Sequence, residues 1–258
     1  MTNIWLTSSQ SLQNYLPTIS DTLNKYAINH NGHFWEDDLE NMSWKYVYDE
    51  IINKDYSLWL IFLPSEELQR FSIRYAISLL TIAVQQKKGA HFPIILLKLE
   101  KDSLVTEMLP DPLKTLDILP LSLQTIGPEL ISQKHKSIQK TEREYYINVH
   151  VNPAYGQWFE VGPINKTWKS GSIFGVTGAE ITFQGVGDRG ILPKQCTIES
   201  PVEGIKVTSE TNEYIAWIVQ NEINKDTSHF IKVKGYPSSI ILGEHIEELS
   251  GFLYVNRF

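Results

Sequence analysis

The chain has 258 residues, of which 42% are hydrophobic and 21% charged. This composition suits one large domain or two ordinary ones and excludes a disordered or collagen-like chain. Its 23 basic and 30 acidic side chains leave a formal charge of -7, which argues against nucleic acid as the main partner. The single cysteine, Cys196, forms no internal disulfide, and we see neither a signal peptide nor a membrane-spanning segment, so we expect a cytoplasmic protein.

Short apolar runs alternate with helical patterns up to about residue 140, which is typical of a parallel sheet covered by helices. In chain order the predicted elements are strand 4–6, helix 11–28, helix 43–53, strand 57–63, helix 66–87 and strand 92–99. The last two strands are continuously apolar, as expected of strands buried on both faces. A polar stretch over 133–144 shows no strand pattern and is the predicted domain boundary.

Beyond this boundary the apolar pattern changes to a period of two. It predicts strands at 145–151, 180–184, 204–208, 214–219, 230–233 and 251–255. Turn residues separate them about every 8 to 12 positions, which is typical of a β-sandwich or barrel. We therefore predict an α/β domain over 1–135 and an all-β domain, an antiparallel sandwich or barrel, over 145–258. No motif indicates the ligand of the second domain.

The first domain resembles a TIR domain (Toll/interleukin-1 receptor type) over roughly residues 1 to 130. The resemblance is carried by the element order and by FWEDDLENMSWKYVYDEI at 34–51, SLWLIFLPSEELQRFSIRYAISLL at 57–80, FPIILLKL at 92–99 and LPDPLKTLDIL at 109–119. It implies a flavodoxin-like parallel sheet and a signalling or scaffold role through association with itself or with protein partners. The resemblance is to modules of prokaryotic type, such as those that act in defence.

TIR domains that are enzymes cleave the nicotinamide bond of NAD, and the resemblance places their essential carboxylate where this chain has Ala76. Cleavage builds positive charge on the ribose, which a fixed anion stabilises and a methyl group does not. No acid occurs over 68–99. We therefore expect a non-enzymatic module without catalytic residues or cofactor; in the alternative, NAD is a substrate and Glu66, Glu67 or Asp37 supplies the acid. Both glutamates also stand where acids complement the dipole of a starting helix.

Small polar residues follow the first and second predicted strands of this domain. Ser8, Ser9 and Ser65 are expected at the carboxyl edge of the sheet, where open α/β sheets bind ligands. Together with Trp35 they are the predicted nucleotide-binding residues. The alternative for this edge is that Ser9 or Ser11 caps the following helix.

The helix predicted over 66–87 is apolar around almost its whole circumference, whereas an ordinary surface helix has one apolar stripe. Either the rest of the chain covers it, or it forms a surface for self-association or for a partner, as the corresponding helix does in TIR assemblies. The predicted interface residues are Phe71, Tyr75, Ser78 and Ile82.

The remaining motifs indicate no metal or dinucleotide fingerprint. His30 and His33 flank Asn31-Gly32, a turn signal that leaves the two imidazoles without a rigid frame for a metal. The run Gly185–Gly190 has the letters of a dinucleotide fingerprint, but a β pattern follows it instead of a helix, so we predict a glycine-rich turn. Cys196 lies in a strand-like run and is predicted to be a small core residue.

Overall fold

The computed structural model describes residues 2–135, 144–152, 154–194, 197–209, 212–245 and 254–258. The chain divides into two compact units, Met1–Lys140 and Thr141–Phe258. We call the first the α/β unit and the second the β unit. Among the described residues, no helix combines the length and the apolar composition that crossing a membrane requires.

A parallel sheet of five strands forms the centre of the α/β unit, in the order β2-β1-β3-β4-β5. The strands are β1 Thr2–Ser8, β2 Ile28–Phe34, β3 Leu58–Phe62, β4 Ile94–Lys98 and β5 Asp117–Pro120. The α-helices are α1 Leu16–Lys25, α2 Trp44–Asn53, α3 Ser65–Leu68, α4 Phe71–Lys88 and α5 Ile126–His135. Short 3-10 helices span Gln10–Tyr15, Thr106–Met108 and Asp111–Leu113. Since β2 lies on one side of β1 and β3 on the other, the order of the strands reverses between β1 and β3.

Both faces of this sheet are covered, which explains the continuous apolar runs of β3 and β4. Helices α1 and α5 pack on one face, where Ile19 and Leu130 join the core residues of the strands. On the opposite face Trp5 of β1 lies against Tyr46 of α2, with 6.4 Å between the ring centroids, and α2 in turn contacts α4. The unit is therefore an α/β layer structure with helices on both sides of a parallel sheet.

Two predicted helices are each divided in the structure. The segment predicted as helix 11–28 is a 3-10 helix followed by α1, because Pro17 has no N–H to continue a preceding helix but suits the first turn of a new one. The segment predicted as helix 66–87 is α3 and α4, separated at Arg70, whose backbone is extended with φ −66° and ψ 129°. The acids of α3 therefore lie on a short helix of their own.

Helix α4 is buried along its length, so the predicted interface is wrong for three of its four residues. Tyr75, Ser78 and Ile82 are 0%, 0% and 5% exposed in the folded chain, and Phe71 at the start of the helix is half-buried. The uniform apolar pattern of this helix is that of a helix enclosed by its own chain. These three side chains are not available to a second molecule.

The turn predicted at Asn31-Gly32 is also wrong, because both residues lie inside β2. Strand β2 pairs in parallel with β1 along all seven residues. Glycine is required there, since a Cβ on Gly32 would come within 2.3 Å of the carbonyl oxygen of Leu6. Pairing with β1 thus outweighs the local turn preference of the dipeptide.

The described residues of the β unit form two antiparallel sheets, in the orders β10-β11-β8-β13-β14 and β6-β7-β12-β9. The strands are β6 Tyr145–Asn152, β7 Gly156–Pro163, β8 Ser172–Thr177, β9 Glu180–Asp188, β10 Val202–Ser209, β11 Asn212–Val219, β12 Thr227–Lys234, β13 Ser239–Glu244 and β14 Tyr254–Arg257. The two sheets meet through Phe159 of β7 and Phe174 of β8, whose ring centroids are 5.4 Å apart. The prediction of a β-rich second unit is confirmed for the described residues.

Several details of the β unit differ from the prediction. Strands β7, β8 and β13 were not predicted, and residues 185–188 of the supposed glycine-rich turn belong to β9. Among the described residues the next element is a strand, β10, as expected from the β pattern that follows the run. The prediction for Cys196 and the first part of the strand predicted at 251–255 lie outside the described residues.

Candidate functional site

The carboxyl ends of β1 and β3 lie side by side, at the point where the strand order reverses. The backbone N–H of Ser9, directly after β1, donates to the carbonyl oxygen of Phe62 at 3.0 Å. The N–H of Trp35, directly after β2, donates to the carbonyl oxygen of Ser8 at 2.8 Å. Open parallel sheets bind ligands at such an edge, so the side chains that converge on it are the candidates for a binding site.

The carboxylate of Glu67 lies over this edge. Its Oε1 accepts hydrogen bonds from the hydroxyl of Ser9 at 2.6 Å and from that of Ser11 at 3.0 Å. Both hydroxyls thus donate to one and the same oxygen of this carboxylate. Glu67 is half-buried, and within the described part of the chain no protein donor bonds its second oxygen, Oε2.

Glu67 differs in this respect from the other acids proposed from the sequence. Glu66 is exposed on the same short helix. Asp37 accepts a hydrogen bond from the hydroxyl of Ser72 at 2.9 Å and so ties the loop after β2 to the start of α4. Ala76, at the position that the resemblance assigns to the catalytic acid, is only 3% exposed. Of the three acids, Glu67 is the one bonded to the end of β1.

The predicted ligand residues Ser8 and Ser9 have structural partners. Ser9 is the N-cap of the 3-10 helix, where its hydroxyl oxygen accepts from the N–H of Ser11 at 3.1 Å, so the capping interpretation is confirmed for Ser9. The hydroxyl of Ser8 donates to the carbonyl oxygen of Ser9 at 3.2 Å. Both serines are almost fully buried, and their hydroxyls bond groups of the protein at the edge instead of projecting into solvent.

Ser65 brings in an acid that the sequence analysis missed. The N–H of Ser65 donates to Oδ2 of Asp102 at 2.9 Å, and Oδ1 of the same carboxylate accepts from the N–H of Leu104 at 3.1 Å. Asp102 comes shortly after the buried strand β4, and this position after an apolar run was the signal available in the sequence. The structure thus places Ser65 and Asp102 together beyond the ends of β3 and β4.

Two clefts flank the start of α1. The larger, about 790 Å³, lies between α1 and β2, and Ser8 forms part of its wall. Its other polar lining residues are Gln13, Asn14, Ser20, His30, Asn31 and His33. The smaller, about 570 Å³, shares Asn14 and continues to the segments after β4 and β5, with Lys101 and Ser122 in its wall. Both volumes are within the range of small-molecule and cofactor sites.

Trp35, the fourth predicted ligand residue, belongs to an aromatic cluster. Its ring lies 6.4 Å from that of His33, which stacks on Trp5 at 5.4 Å. Burial lowers the pKa of His33 to about 4, so this imidazole is neutral at pH 7. Both of its nitrogens are buried without a hydrogen-bond partner among the described residues.

The two histidines of β2 cannot act together on a metal, but for a reason other than the one expected. They are held on a rigid strand, yet an odd separation in a strand turns their side chains to opposite faces. Nε2 of His30 bonds the hydroxyl of Ser20 on the α1 side at 2.7 Å, whereas His33 stacks on the α2 side. The described residues contain no group of three metal-ligating side chains.

Taken together, the carboxyl edge holds the half-buried carboxylate of Glu67, bonded to Ser9, and the preceding residue, Ser8, lines a cleft of ligand size. Such an anion can accept hydrogen bonds from ligand hydroxyls or stabilise a developing positive charge. No family model matches this chain, and neither does any curated protein. The function of the edge therefore rests on its geometry.

Proposed function

We propose that the protein is a TIR-like signalling or scaffold module whose α/β unit binds a nucleotide such as NAD over the carboxyl edge of its sheet. The observation that carries this proposal is the Glu67 carboxylate, held by Ser9 and Ser11 where the strand order reverses. In this proposal the β unit supplies a second surface for a protein partner or ligand.

The position of the larger cleft supports a nucleotide as the ligand. Ser8 lines the cleft, and the next residue, Ser9, bonds Glu67. Glu67 itself lines neither cleft, so in this proposal the ribose extends past Ser8 to place a hydroxyl at Oε2 of Glu67. Amide and imidazole groups of Asn14 and His30 line the same cleft and are suited to the polar edges of a base.

A thermal-shift experiment with a matched pair of variants tests binding. We expect NAD or ADP-ribose to raise the Tm of the wild type, since a ligand of the native state stabilises it. Asn14→Trp, which fills the space shared by both clefts, should abolish the shift. Asn24→Trp, the same change at an exposed position of α1, should retain it. Flat curves for the wild type with every nucleotide would refute the proposal.

A second candidate function is cleavage of NAD, and the contact between Glu67 and Ser9 favours it. When the bond between nicotinamide and ribose breaks, the leaving nicotinamide takes the electron pair, the ribose becomes a cation, and water completes the hydrolysis. A fixed carboxylate stabilises that cation. Glu67 would supply in α3 the charge that Ala76 lacks in α4.

Nicotinamide release from NAD decides between binding and cleavage. If Glu67 is the acid, turnover by concentrated protein should disappear in Glu67→Gln and persist in Glu66→Gln, its exposed neighbour on the same helix. Equal loss in both variants would assign no special role to Glu67. Binding without release in the wild type would leave the non-enzymatic module as the function.

A further inference from the structure

Strand β2 forms one edge of the parallel sheet. It stands at one end of the strand order β2-β1-β3-β4-β5, so one row of its backbone N–H and C=O groups faces away from the sheet. Its sequence, INHNGHF, contains no Lys, Arg, Asp, Glu or Pro. These are the residues by which natural proteins usually protect an exposed edge from pairing with another chain.

Two contacts identify the outward row. The N–H of Gly32 donates to the side-chain Oδ1 of Asn31 at 2.9 Å, and the carbonyl oxygen of Ile28 lies 3.4 Å from Nδ1 of His30. In both cases a side chain of β2 itself occupies the place of a neighbouring strand. Backbone groups of a parallel strand alternate in direction residue by residue, so residues 28, 30, 32 and 34 form the outward row.

This row is open to a partner. Asn31 and Gly32 are exposed, and the side chain of Phe34 is 41% exposed. Among the described residues, no loop or turn makes a backbone hydrogen bond to residues 30–34. The bonds that now satisfy Gly32 and Ile28 come from side chains of β2 itself, so they use no other segment of the chain.

We propose that two copies of this chain pair through β2, antiparallel and about a two-fold axis at Asn31. This axis places Ile28 opposite Phe34 of the second copy, His30 opposite Gly32, and Asn31 opposite its own equivalent. Every residue of the outward row then meets a residue of the outward row, so the N–H and C=O groups can exchange hydrogen bonds. Asn31 forms the closely spaced pair without hydrogen bonds between the backbones.

The side chains are self-complementary in this register. Residues directly opposite one another share a face of the sheet, so the exposed ring of Phe34 lies on the α1 side of the second copy, at the position of Ile28, whose own side chain is buried in the core. No charged side chain faces a like charge, because the strand has none. A two-fold interface uses the same patch on both subunits, and this neutral patch is compatible with itself. Two seven-residue strands make a small interface, so we expect a dissociation constant in the micromolar range.

Charge variants at the axis test the pairing. Light scattering and sedimentation of the full chain should show a concentration-dependent dimer. Asn31→Lys or Asn31→Asp, which puts like charges opposite one another, should weaken dimerisation about fivefold relative to the neutral control Asn31→Ser. An equal mixture of the Lys and Asp variants should restore it, because opposite charges then meet at the axis.

Each other outcome overturns the proposal. A wild type that stays monomeric at about 100 μM, charge variants that associate as strongly as Asn31→Ser, or a mixture no stronger than its components would each do so. Thermal unfolding of every variant separates loss of pairing from loss of fold. Asn31 also lines the larger cleft, but the two proposals are tested by separate measurements, because failure of the NAD experiments leaves the dimer measurements unaffected.

Discussion

Two carboxylates, one in each unit, show how differently this protein uses an acid. Glu160 on β7 is 0% exposed, and its oxygens accept from Nε2 of His150 at 2.6 Å, the N–H of Gly190 at 2.6 Å and the hydroxyl of Tyr146 at 3.2 Å. Glu67 is half-buried, and its two donors share one oxygen. Both oxygens of Glu160 thus accept hydrogen bonds inside the fold, whereas one oxygen of Glu67 stays available at the carboxyl edge of the sheet.

This difference separates a structural acid from one that can bind or catalyse. Burial alone would raise the pKa of Glu160, but the hydrogen bonds from His150 and Gly190 outweigh it and hold the pKa below its usual value of 4.5. The guanidinium of Arg189 lies over the ring of Tyr146, 4.5 Å from its centroid, and closes the cluster. Glu160 thus stabilises the β unit, whereas Glu67 uses only Oε1 for its two hydrogen bonds and has Oε2 available for the proposed ligand.

The largest effect is expected from removing the buried acid. Glu160→Ala leaves His150 and Gly190 without their acceptor in a buried site and should lower the free energy of unfolding by about 3 to 5 kcal/mol. Denaturant unfolding measures this. Glu213→Ala, which removes an exposed ion pair with Lys206, should change it by less than about 0.5 kcal/mol. If the two substitutions lowered the free energy of unfolding equally, Glu160 would not be a structural acid of the kind described.

Low pH should destabilise the β unit, because its buried His229 is not protonated in the folded chain. Burial lowers the pKa of His229 from 6.5 to about 3, so the unfolded chain binds a proton at a pH where the folded chain does not. Stability is therefore full above pH 6.5 and falls as the pH drops from 6.5 towards 3, by at most about 1.4 kcal/mol per pH unit. Unfolding curves between these values measure the slope. His229→Gln should flatten it, and an unchanged slope would contradict this assignment.

A smaller effect is expected at the carboxyl edge of the α/β unit. Ser9→Ala removes the N-cap of the 3-10 helix and a donor to Glu67, and should lower the free energy of unfolding by about 1 kcal/mol. Ser9→Thr keeps the hydroxyl and should lose much less. If both variants lose the same, the hydroxyl is not what stabilises this edge.

The smallest change in stability is expected for Glu67→Gln. The amide oxygen still accepts from both serine hydroxyls, so the free energy of unfolding should change by less than about 1 kcal/mol. Any NAD cleavage, in contrast, should be lost with the charge. A loss of stability as large as that of Glu160→Ala would assign Glu67 to the structural class and weaken the proposed function.

The elements that could be predicted are those whose local pattern agrees with their surroundings. Strands β3 and β4 are apolar on both faces because helices cover both faces of the sheet, and the sequence shows this directly. Strand β2 could not be predicted, because Asn31-Gly32 favours a turn in isolation and only pairing with β1 extends it. For helix α4 the same local view left coverage by the chain and an interface as alternatives, and only the packed structure shows Tyr75, Ser78 and Ile82 to be covered.

The pattern of apolar and polar residues in this sequence already indicates an α/β first part and a β-rich second part, because periodicity is a local property. The site depends on contacts between distant segments. Ser9 and Glu67 are 58 residues apart in the chain, and Asp102 reaches Ser65 across 37. Such pairs follow from strand order and from the direction of each crossover, which no local pattern encodes. The sequence therefore predicts the two architectures, whereas only the tertiary packing brings Glu67 to the carboxyl edge of the parallel sheet.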